Sequence, residues 1–188
     1  MKLALIAAAT SLALTAPAFA ADSYTADPTH TYPSFEINHL GFSTTRGSFE
    51  KSQGKITLDP AAKSGSIDIS VDTASISTGL AKRDDHLRGE DFFNVAKFPT
   101  MTFKASKLRF SGDKLVGADG DLTLLGVTKP VSLTIDSFVC GNHPMNKKPL
   151  CGANATTTIK RSEWGMKAYV PAVSDEVKIA IQIEAFKD

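Results

Sequence analysis

The sequence has almost no excess of charge of either sign and no long hydrophobic run. Its 188 residues carry 21 Lys and Arg against 20 Asp and Glu. Proteins that bind nucleic acid or an anionic membrane surface concentrate Lys and Arg, so this balance argues against both as main partners. The most apolar stretch, LALIAAATSLALTA near the N-terminus, is too short to span a bilayer, and we expect no stable membrane insertion.

Motifs of the common enzyme classes are also missing. The sequence contains no Gly-x-x-x-x-Gly-Lys or Gly-x-Gly-x-x-Gly loop that would cradle a phosphate group. It has no His-Glu-x-x-His pair for zinc and no Cys-x-x-Cys pair for redox chemistry or haem attachment. These absences weigh against the common enzymes, and we expect no catalytic residues, no cofactor and no metal site.

Cysteine is scarce, with Cys140 and Cys151 as the two examples. If the chain is exported, an oxidising compartment favours a local disulfide between them. Closing so short a loop is worth roughly 3 kcal/mol in the chain-entropy model. The alternative is a metal site made of both cysteines and His143, but that site lacks a fourth ligand.

The first 20 residues have the features of a secretory signal peptide. Lys2 precedes the apolar stretch, and the stretch ends in Ala18-Phe19-Ala20, a small-x-small pattern that signal peptidase cleaves. We expect cleavage after Ala20 and a single domain over residues 21–188, which is long enough to enclose a sizeable core.

The rest of the chain alternates apolar and polar residues in short segments separated by turns. Period-two alternation places each apolar set on one face, as in half-buried β-strands. Several such strands at regular spacing predict an all-β sandwich or barrel. The segments are SFEINH at 34–39, KITLD at 55–59, SIDISVD at 66–72, MTFKAS at 101–106, DLTLL at 121–125, VSLTID at 131–136 and VKIAIQIEA at 177–185.

One stretch, STGLAKRDDHLRGEDFF at 77–93, interrupts this pattern with crowded charges. Ser77 or Thr78 could cap a short helix, and Gly89 could end it. We therefore predict one short helical connection over 80–91 that crosses an end of the β structure.

Five segments resemble the YceI-like family of bacterial periplasmic proteins, in the order in which that family has them. They include an Asp-Pro-x-His opening, an Arg-Asp-x-His-Leu block followed by Asp-Phe-Phe, and a Gly-Val-Thr-x-Pro hairpin. The segments are DPTHTYPSFEINHLGFSTTRGSFEKSQGKITLD at 27–59, ASISTGLAKRDDHLRGEDFFNVAKFPTMTFKAS at 74–106, GDLTLLGVTKPVSLTI at 120–135, TTTIKRSEWGM at 156–166 and SDEVKIAIQIEA at 174–185.

The resemblance implies a lipocalin-like, antiparallel up-and-down β-barrel of about eight strands. It also implies a periplasmic protein that binds, transports or sequesters a long isoprenoid lipid, of the polyisoprenoid or isoprenoid-quinone type, in the lumen. A homodimer and a link to stress tolerance are implied as well. Tyr32-Pro33 departs from the family pattern, and because Pro33 lacks an amide donor, we expect the first strand to start just after it, at an edge or bulge.

A set of inward-facing residues would line the lumen and contact the lipid. The alternative is that these residues fill a solid core, which would leave a ligand-free dimeric interaction module. His39 shares the face of the set, and it could either bond a ligand group in the lumen or be a buried histidine satisfied by neighbours. The set is Phe35, Ile37, His39, Ile69, Val71, Phe103, Leu122, Leu124, Leu133, Ile179 and Ile181.

The charged stretch allows three interpretations. Arg83, Asp84 and His86 could pair with one another at a helix end while Phe92 and Phe93 plug the mouth. They could instead contact a polar lipid head group at the rim, since the Arg fork suits phosphate. The third interpretation is a hydrolase or isomerase that uses His39 with Asp84 and His86.

Overall fold

The structure is a computed structural model that describes residues 21–188, so the expected signal peptide lies outside the described residues. Eleven strands and one α-helix follow one another within these described residues. No helix within residues 21–188 is long and apolar enough to cross a bilayer. The elements are β1 (Asp22–Ala26), β2 (Tyr32–His39), β3 (Ser43–Phe49), β4 (Ser52–Asp59), β5 (Ser64–Asp72), β6 (Ile76–Ser77), α1 (Ala81–Arg88), β7 (Thr100–Ser111), β8 (Lys114–Leu124), β9 (Val127–Asn142), β10 (Pro149–Lys160) and β11 (Val173–Lys187).

The strands form one antiparallel sheet that closes into a barrel. Strand β11 pairs with β2 along its first half and with β1 at its end, where Ala26 lies opposite Ala185. The pairs β1–β2 and β3–β4 thus each act as one long bent strand, and the ring has eight strand positions. Closure removes the unpaired sheet edges, which could otherwise pair with strands of another molecule and cause aggregation. The predicted lipocalin-like barrel of about eight strands is confirmed.

The two ends of the barrel carry different connections. At the end that we call the helix end lie α1, the turn at 40–42, the turn at 125–126 and the loop at 161–172. At the opposite end, the disulfide end, lie the turns at 60–63 and 112–113 and the loop at 143–148. Because β9 and β10 place Cys140 directly opposite Cys151, the two residues form the predicted disulfide, and the metal-site alternative is wrong.

The disulfide end is closed by packed side chains. Tyr24, Leu58, Cys151 and Ala185 form a buried cluster from four different strands. Partly buried residues pack against it, among them Phe138. Large side chains from strands that meet at this end therefore fill the barrel interior there.

Two predictions about local structure need correction. Helix α1 is shorter than the predicted 80–91 and its N-cap is Leu80, not Ser77 or Thr78. Gly89 does end the helix, but with φ −70° rather than in the left-handed conformation. Its amide donates to the His86 carbonyl oxygen, and its own carbonyl oxygen accepts the amides of Phe92 and Asn94, which turns the chain away from the helix axis.

The first strand does not start after Pro33, because β1 precedes it and β2 includes it. Pro33 lies opposite Ile181 of β11, while β3 begins to pair with β2 only at Ser34. The missing amide donor therefore falls where β2 has a partner strand on one side only. Proline is tolerated in a sheet at such an edge position.

Candidate functional site

A cavity of about 700 Å³ opens at the helix end and extends inward to the middle of the barrel. This size falls within the roughly 300–1,000 Å³ range of pockets that hold small ligands. The filled-barrel alternative is therefore wrong. Every residue of the predicted lumen set lies on the cavity wall, although their contact with a ligand stays a prediction: Phe35, Ile37, His39, Ile69, Val71, Phe103, Leu122, Leu124, Leu133, Ile179 and Ile181.

The space exists because small side chains face inward at the middle level of the barrel. Ala118 of β8, together with Ala153 and Ala155 of β10, lies on the wall. Ala118 is fully buried, so its methyl group replaces the larger side chain that a solid barrel would need there. Small and large inward residues alternate in such barrels to set the shape of the interior.

Phe35 is held in place by a glycine on the neighbouring strand. Gly47 of β3 lies directly opposite Phe35 of β2, and a Cβ atom at residue 47 would fall 2.5 Å from the Phe35 ring. The ring thus covers the glycine backbone and points into the cavity. Phe35 also packs on Phe49, with the ring centroids 6.2 Å apart, which fixes the width of the cavity at this level.

Three aromatic rings from two connections meet at the mouth. The His86 ring of α1 packs edge-on against Phe92, with centroids 5.1 Å apart, and lies 6.2 Å from Tyr169 of the 161–172 loop. Phe92 and Tyr169 are stacked at 6.2 Å. Phe93 lies deeper and packs edge-on against Phe49. Both phenylalanines therefore line the cavity, and it remains open between them and the opposite wall.

Arg83 and Asp84 are joined through Thr78. The Arg83 guanidinium donates to the hydroxyl and the carbonyl oxygen of Thr78, both at 2.7 Å. The buried Asp84 carboxylate accepts the Thr78 amide at 2.9 Å, and also the Thr78 hydroxyl. Arg83 lies on the cavity wall, whereas Asp84 does not. Asp84 therefore holds the start of α1 and is not a rim residue.

The His39–Asp84–His86 constellation of the enzyme alternative is not assembled. His39 ends β2 and is exposed at the mouth, so it is not a buried histidine satisfied by neighbours. His86 also lies on the cavity wall, but the Asp84 carboxylate accepts from the Thr78 amide. A general base oriented by a carboxylate would need that carboxylate within hydrogen-bond reach, and this arrangement does not provide it.

Arg161 is a wall residue that the sequence did not single out as part of the site. It is buried, and its guanidinium donates to the carbonyl oxygens of Met166, Ala168, Val173 and Ser174 over 2.8–3.1 Å. Burial lowers the pKa of this guanidinium. Its role is to fold the 161–172 loop against the barrel. The four groups that accept hydrogen bonds from Arg161 are all backbone carbonyl oxygens. Because every residue has a backbone carbonyl, no partner side chain marks this arginine in the sequence.

Trp164 anchors the same loop from beneath. Its indole nitrogen donates to the Leu122 carbonyl oxygen at 3.1 Å, and its ring is buried with Leu124 and Ile159. The loop that carries Tyr169 is thereby tied to β8 and β10. The mouth is thus built on a fixed support and not on a free loop.

Among residues 21–188, one group has the donor atoms of a metal site, namely Asp27, His30 and Glu184. His30 Nδ1 already bonds the Asp27 carboxylate at 2.8 Å, and this hydrogen bond raises the pKa of His30. Although burial opposes ionisation of Asp27, hydrogen bonds from His30 and Thr29 lower its pKa. These contacts close the bend between β1 and β2, and the prediction of no metal stays a prediction.

Comparisons with known proteins agree with this architecture. The family model described as the YceI-like domain matches residues 24–185. Protein YceI of Escherichia coli O157:H7 is 38% identical over 158 residues, which cover 82% of this chain and 81% of that protein. A UPF0312 protein of Ectopseudomonas mendocina is 34% identical over 159 residues, covering 84% of this chain and 83% of that protein.

Solved structures share the barrel. A Campylobacter jejuni YceI protein has a TM-score of 0.69 at 29% identity and covers 81% of this chain and 90% of its own. A polyisoprenoid binding domain from Saccharophagus degradans, implicated in plant cell wall breakdown, has a TM-score of 0.66 at 16% identity and covers 88% of this chain and 98% of its own. From the family match and the curated relatives together, the chain belongs to the YceI-like family.

Proposed function

We propose that this protein binds a long-chain isoprenoid lipid, of the polyisoprenoid or isoprenoid-quinone type, and carries or sequesters it in the periplasm. The observation that supports the proposal is the apolar cavity that opens at the helix end and is closed by packed side chains at the other. The Saccharophagus degradans domain of similar fold is described as polyisoprenoid binding. A role in stress tolerance would follow from holding such a lipid, and survival of a deletion strain would test it.

The distribution of polar side chains along the cavity wall indicates how the lipid is oriented in the barrel. The deep wall is formed by side chains such as Ile67, Ala155 and Ile181, which offer no hydrogen bonds. The ionisable side chains on the wall are His39, Arg83, His86 and Arg161, and they lie toward the mouth. Deeper polar groups on the wall are hydroxyls such as that of Thr31, which donates to the Glu184 carbonyl oxygen at 3.3 Å. The apolar tail therefore extends into the barrel, and a polar head would lie at the mouth beside the Arg83 guanidinium, a group that suits oxygen-rich anions.

Apolar burial supplies enough free energy for this without any covalent chemistry. Each buried methylene is worth about 0.8 kcal/mol, so one five-carbon isoprene unit contributes a few kcal/mol. Two or three units offset the cost of ordering a flexible chain and of association. A branched and flexible tail can also adjust to the alternation between alanine and larger residues along the wall.

The direct test is to export the full chain in a Gram-negative host, purify it from the periplasm and examine it by native mass spectrometry, with organic extraction of the bound species. We expect an isoprenoid of defined mass in a one-to-one complex. Protein that carries nothing, and that takes up no isoprenoid when offered one, would contradict the proposal.

A pair of matched variants connects the ligand to the cavity. Ala155→Phe adds a ring on the cavity wall, and we expect the bound isoprenoid to fall at least thirtyfold while the barrel stays folded. Ala185→Phe adds the same ring at a buried position of the disulfide end that is not on the cavity wall, so it should overpack the interior, cost about 1–3 kcal/mol of stability and leave the bound isoprenoid unchanged. Retention of ligand by Ala155→Phe would place the lipid elsewhere.

A further inference from the structure

The large apolar side chains that are exposed gather at one end of the barrel. In the described part of the chain, five of the seven lie on or directly beside connections of the helix end, and the other two, Val139 and Met145, lie toward the disulfide end. Phe42, in the turn between β2 and β3, is 90% exposed. The five, which we call the apolar tips, are Leu40, Phe42, Leu80, Val127 and Tyr169.

The turns that carry apolar tips have an unusual composition. In the turns at 40–41 and 125–126 a leucine precedes a glycine, and both residues have positive φ, 58° and 77° in the first turn and 51° and 73° in the second. Such turns favour Asn-Gly or Asp-Gly, because a leucine in the left-handed region is strained. The corresponding turn at the disulfide end uses Gly112 and Asp113. The disulfide end also has non-glycine residues with positive φ, namely Lys63 at 51° and Lys147 at 61°. The two turns of the helix end differ in that an apolar residue occupies this position.

The apolar tips are continuous with the cavity. Leu40 and Tyr169 are exposed on the outside and also line the cavity wall. The Leu40 amide donates to the Ala172 carbonyl oxygen at 3.0 Å, which joins the 40–42 turn to the loop that carries Tyr169. Apolar surface therefore leads from the solvent side of the tips directly into the barrel.

The size and charge of this end fit a lipid surface better than a protein partner. Five side chains are far fewer than the roughly 20–30 residues that each partner contributes to a stable protein interface. The exposed charges are mixed in sign, which suits zwitterionic head groups better than a strongly anionic surface. These charged residues include Lys82, Asp85, Glu90, Asp91, Lys97, Glu163 and Lys167.

We propose that the helix end docks transiently on a lipid bilayer, with the apolar tips in the interfacial region and the mouth against the membrane. This inference rests on the proposed isoprenoid ligand. It explains how an isoprenoid tail passes between bilayer and cavity without crossing water. Exposed aromatic and aliphatic side chains anchor proteins at this depth without a transmembrane segment.

The test measures partition of the processed protein, with its disulfide intact, onto phosphatidylcholine vesicles by co-sedimentation. Phe42→Ser combined with Leu80→Ser removes two tips, neither of which lies on the cavity wall. We expect partition to fall at least tenfold. Val139→Ser combined with Met145→Ser is the matched control, since these residues are 71% and 87% exposed at the other end, and it should leave partition unchanged.

Equal partition of both double variants and the parent protein would overturn docking through the helix end. So would a loss of self-association in the Phe42→Ser, Leu80→Ser protein by light scattering with no change in partition, because the tips would then form a dimer contact. Binding of geranylgeraniol, an isoprenoid alcohol, without vesicles tests the proposed function separately. If the double variant keeps that binding and loses partition, docking and lipid binding are distinct properties of the chain.

Discussion

The two halves of the barrel are made of similar strands but have different interiors. Toward the disulfide end, Tyr24 and Leu58 pack with Cys151 into a closed core. Toward the helix end, alanines at the middle level leave room, and the wall residues face a cavity. The difference shows that one continuous sheet can hold a stabilising core and a binding site, because each inward position is filled independently.

The largest expected effect comes from truncating one leucine in each half. Leu58→Ala leaves a new void in the packed core, and we expect the free energy of unfolding to fall by about 3 kcal/mol or more. Leu122→Ala enlarges a cavity that already exists, so its cost should be nearer about 1 kcal/mol. Urea unfolding of both variants measures this, and equal losses would mean that the two interiors are equally packed.

Removal of the disulfide tests whether the closed end is needed for the shape of the open one. Cys140→Ser combined with Cys151→Ser frees the 143–148 loop, and we expect a loss of about 3 kcal/mol in the free energy of unfolding. The affinity for isoprenoid should change less than about threefold, because neither cysteine lines the cavity. A collapse of binding in a variant that is still folded would show that the two halves are coupled.

The aromatic contact at the mouth should control how quickly ligand leaves. Tyr169→Ala removes the ring that stacks on Phe92, and we expect isoprenoid to dissociate several times faster, with less than about 1 kcal/mol change in stability. Tyr32→Ala is a suitable control, because its hydroxyl bonds the Thr29 carbonyl oxygen near the β1–β2 bend. Stopped-flow release of a fluorescent isoprenoid would measure both; unchanged release from the Tyr169 variant would contradict the expectation.

The smallest expected effect is on the stability of the protein at acidic pH. The Ser162 hydroxyl and amide donate to the Asp175 carboxylate and lower its pKa. A lowered pKa in the folded state stabilises the protein above the unfolded value of 3.8, and this contribution is lost as the pH falls below that value toward the folded pKa. Asp175→Asn should therefore reduce stability at neutral pH by less than about 1 kcal/mol.

Below pH 3.8 the same variant should approach the parent protein, because the parent's carboxylate is then being protonated. Thermal unfolding from pH 7 down to pH 3 would show the two curves converging. Asp113→Asn, at an exposed turn of the disulfide end, is the control and should follow the parent throughout. Parallel curves for Asp175→Asn would mean that the Ser162 contacts do not contribute.

Much of the wall could be predicted from sequence because period-two alternation assigns faces without knowledge of the partner strand. This alternation alone was enough to place Ile69, Val71 and Ile181 on the wall. The cavity itself could not be predicted from alternation, since it depends on Ala118 and Ala155 arriving at one level through the pairing of β8, β9 and β10.

Contacts between segments that are distant in the sequence could not be predicted either. The packed end requires β1 to meet β11 across nearly the whole chain, and a short polar segment such as Asp22–Ala26 carries little strand signal of its own. Asp84 looked like a rim residue among its charged neighbours. Its true partner, Thr78, could be found only from the way the chain folds back before α1.

The packed core at the disulfide end has a kinetic consequence. Within residues 21–188 the cavity opens at the helix end while the other end is filled, so a bound chain must withdraw along the path by which it arrived. A second molecule cannot push the first one through. The bound lipid should therefore exchange at its own dissociation rate, whatever the concentration of competing lipid. A second lipid can enter only after the first has left, so the amount of empty protein would limit the rate of uptake.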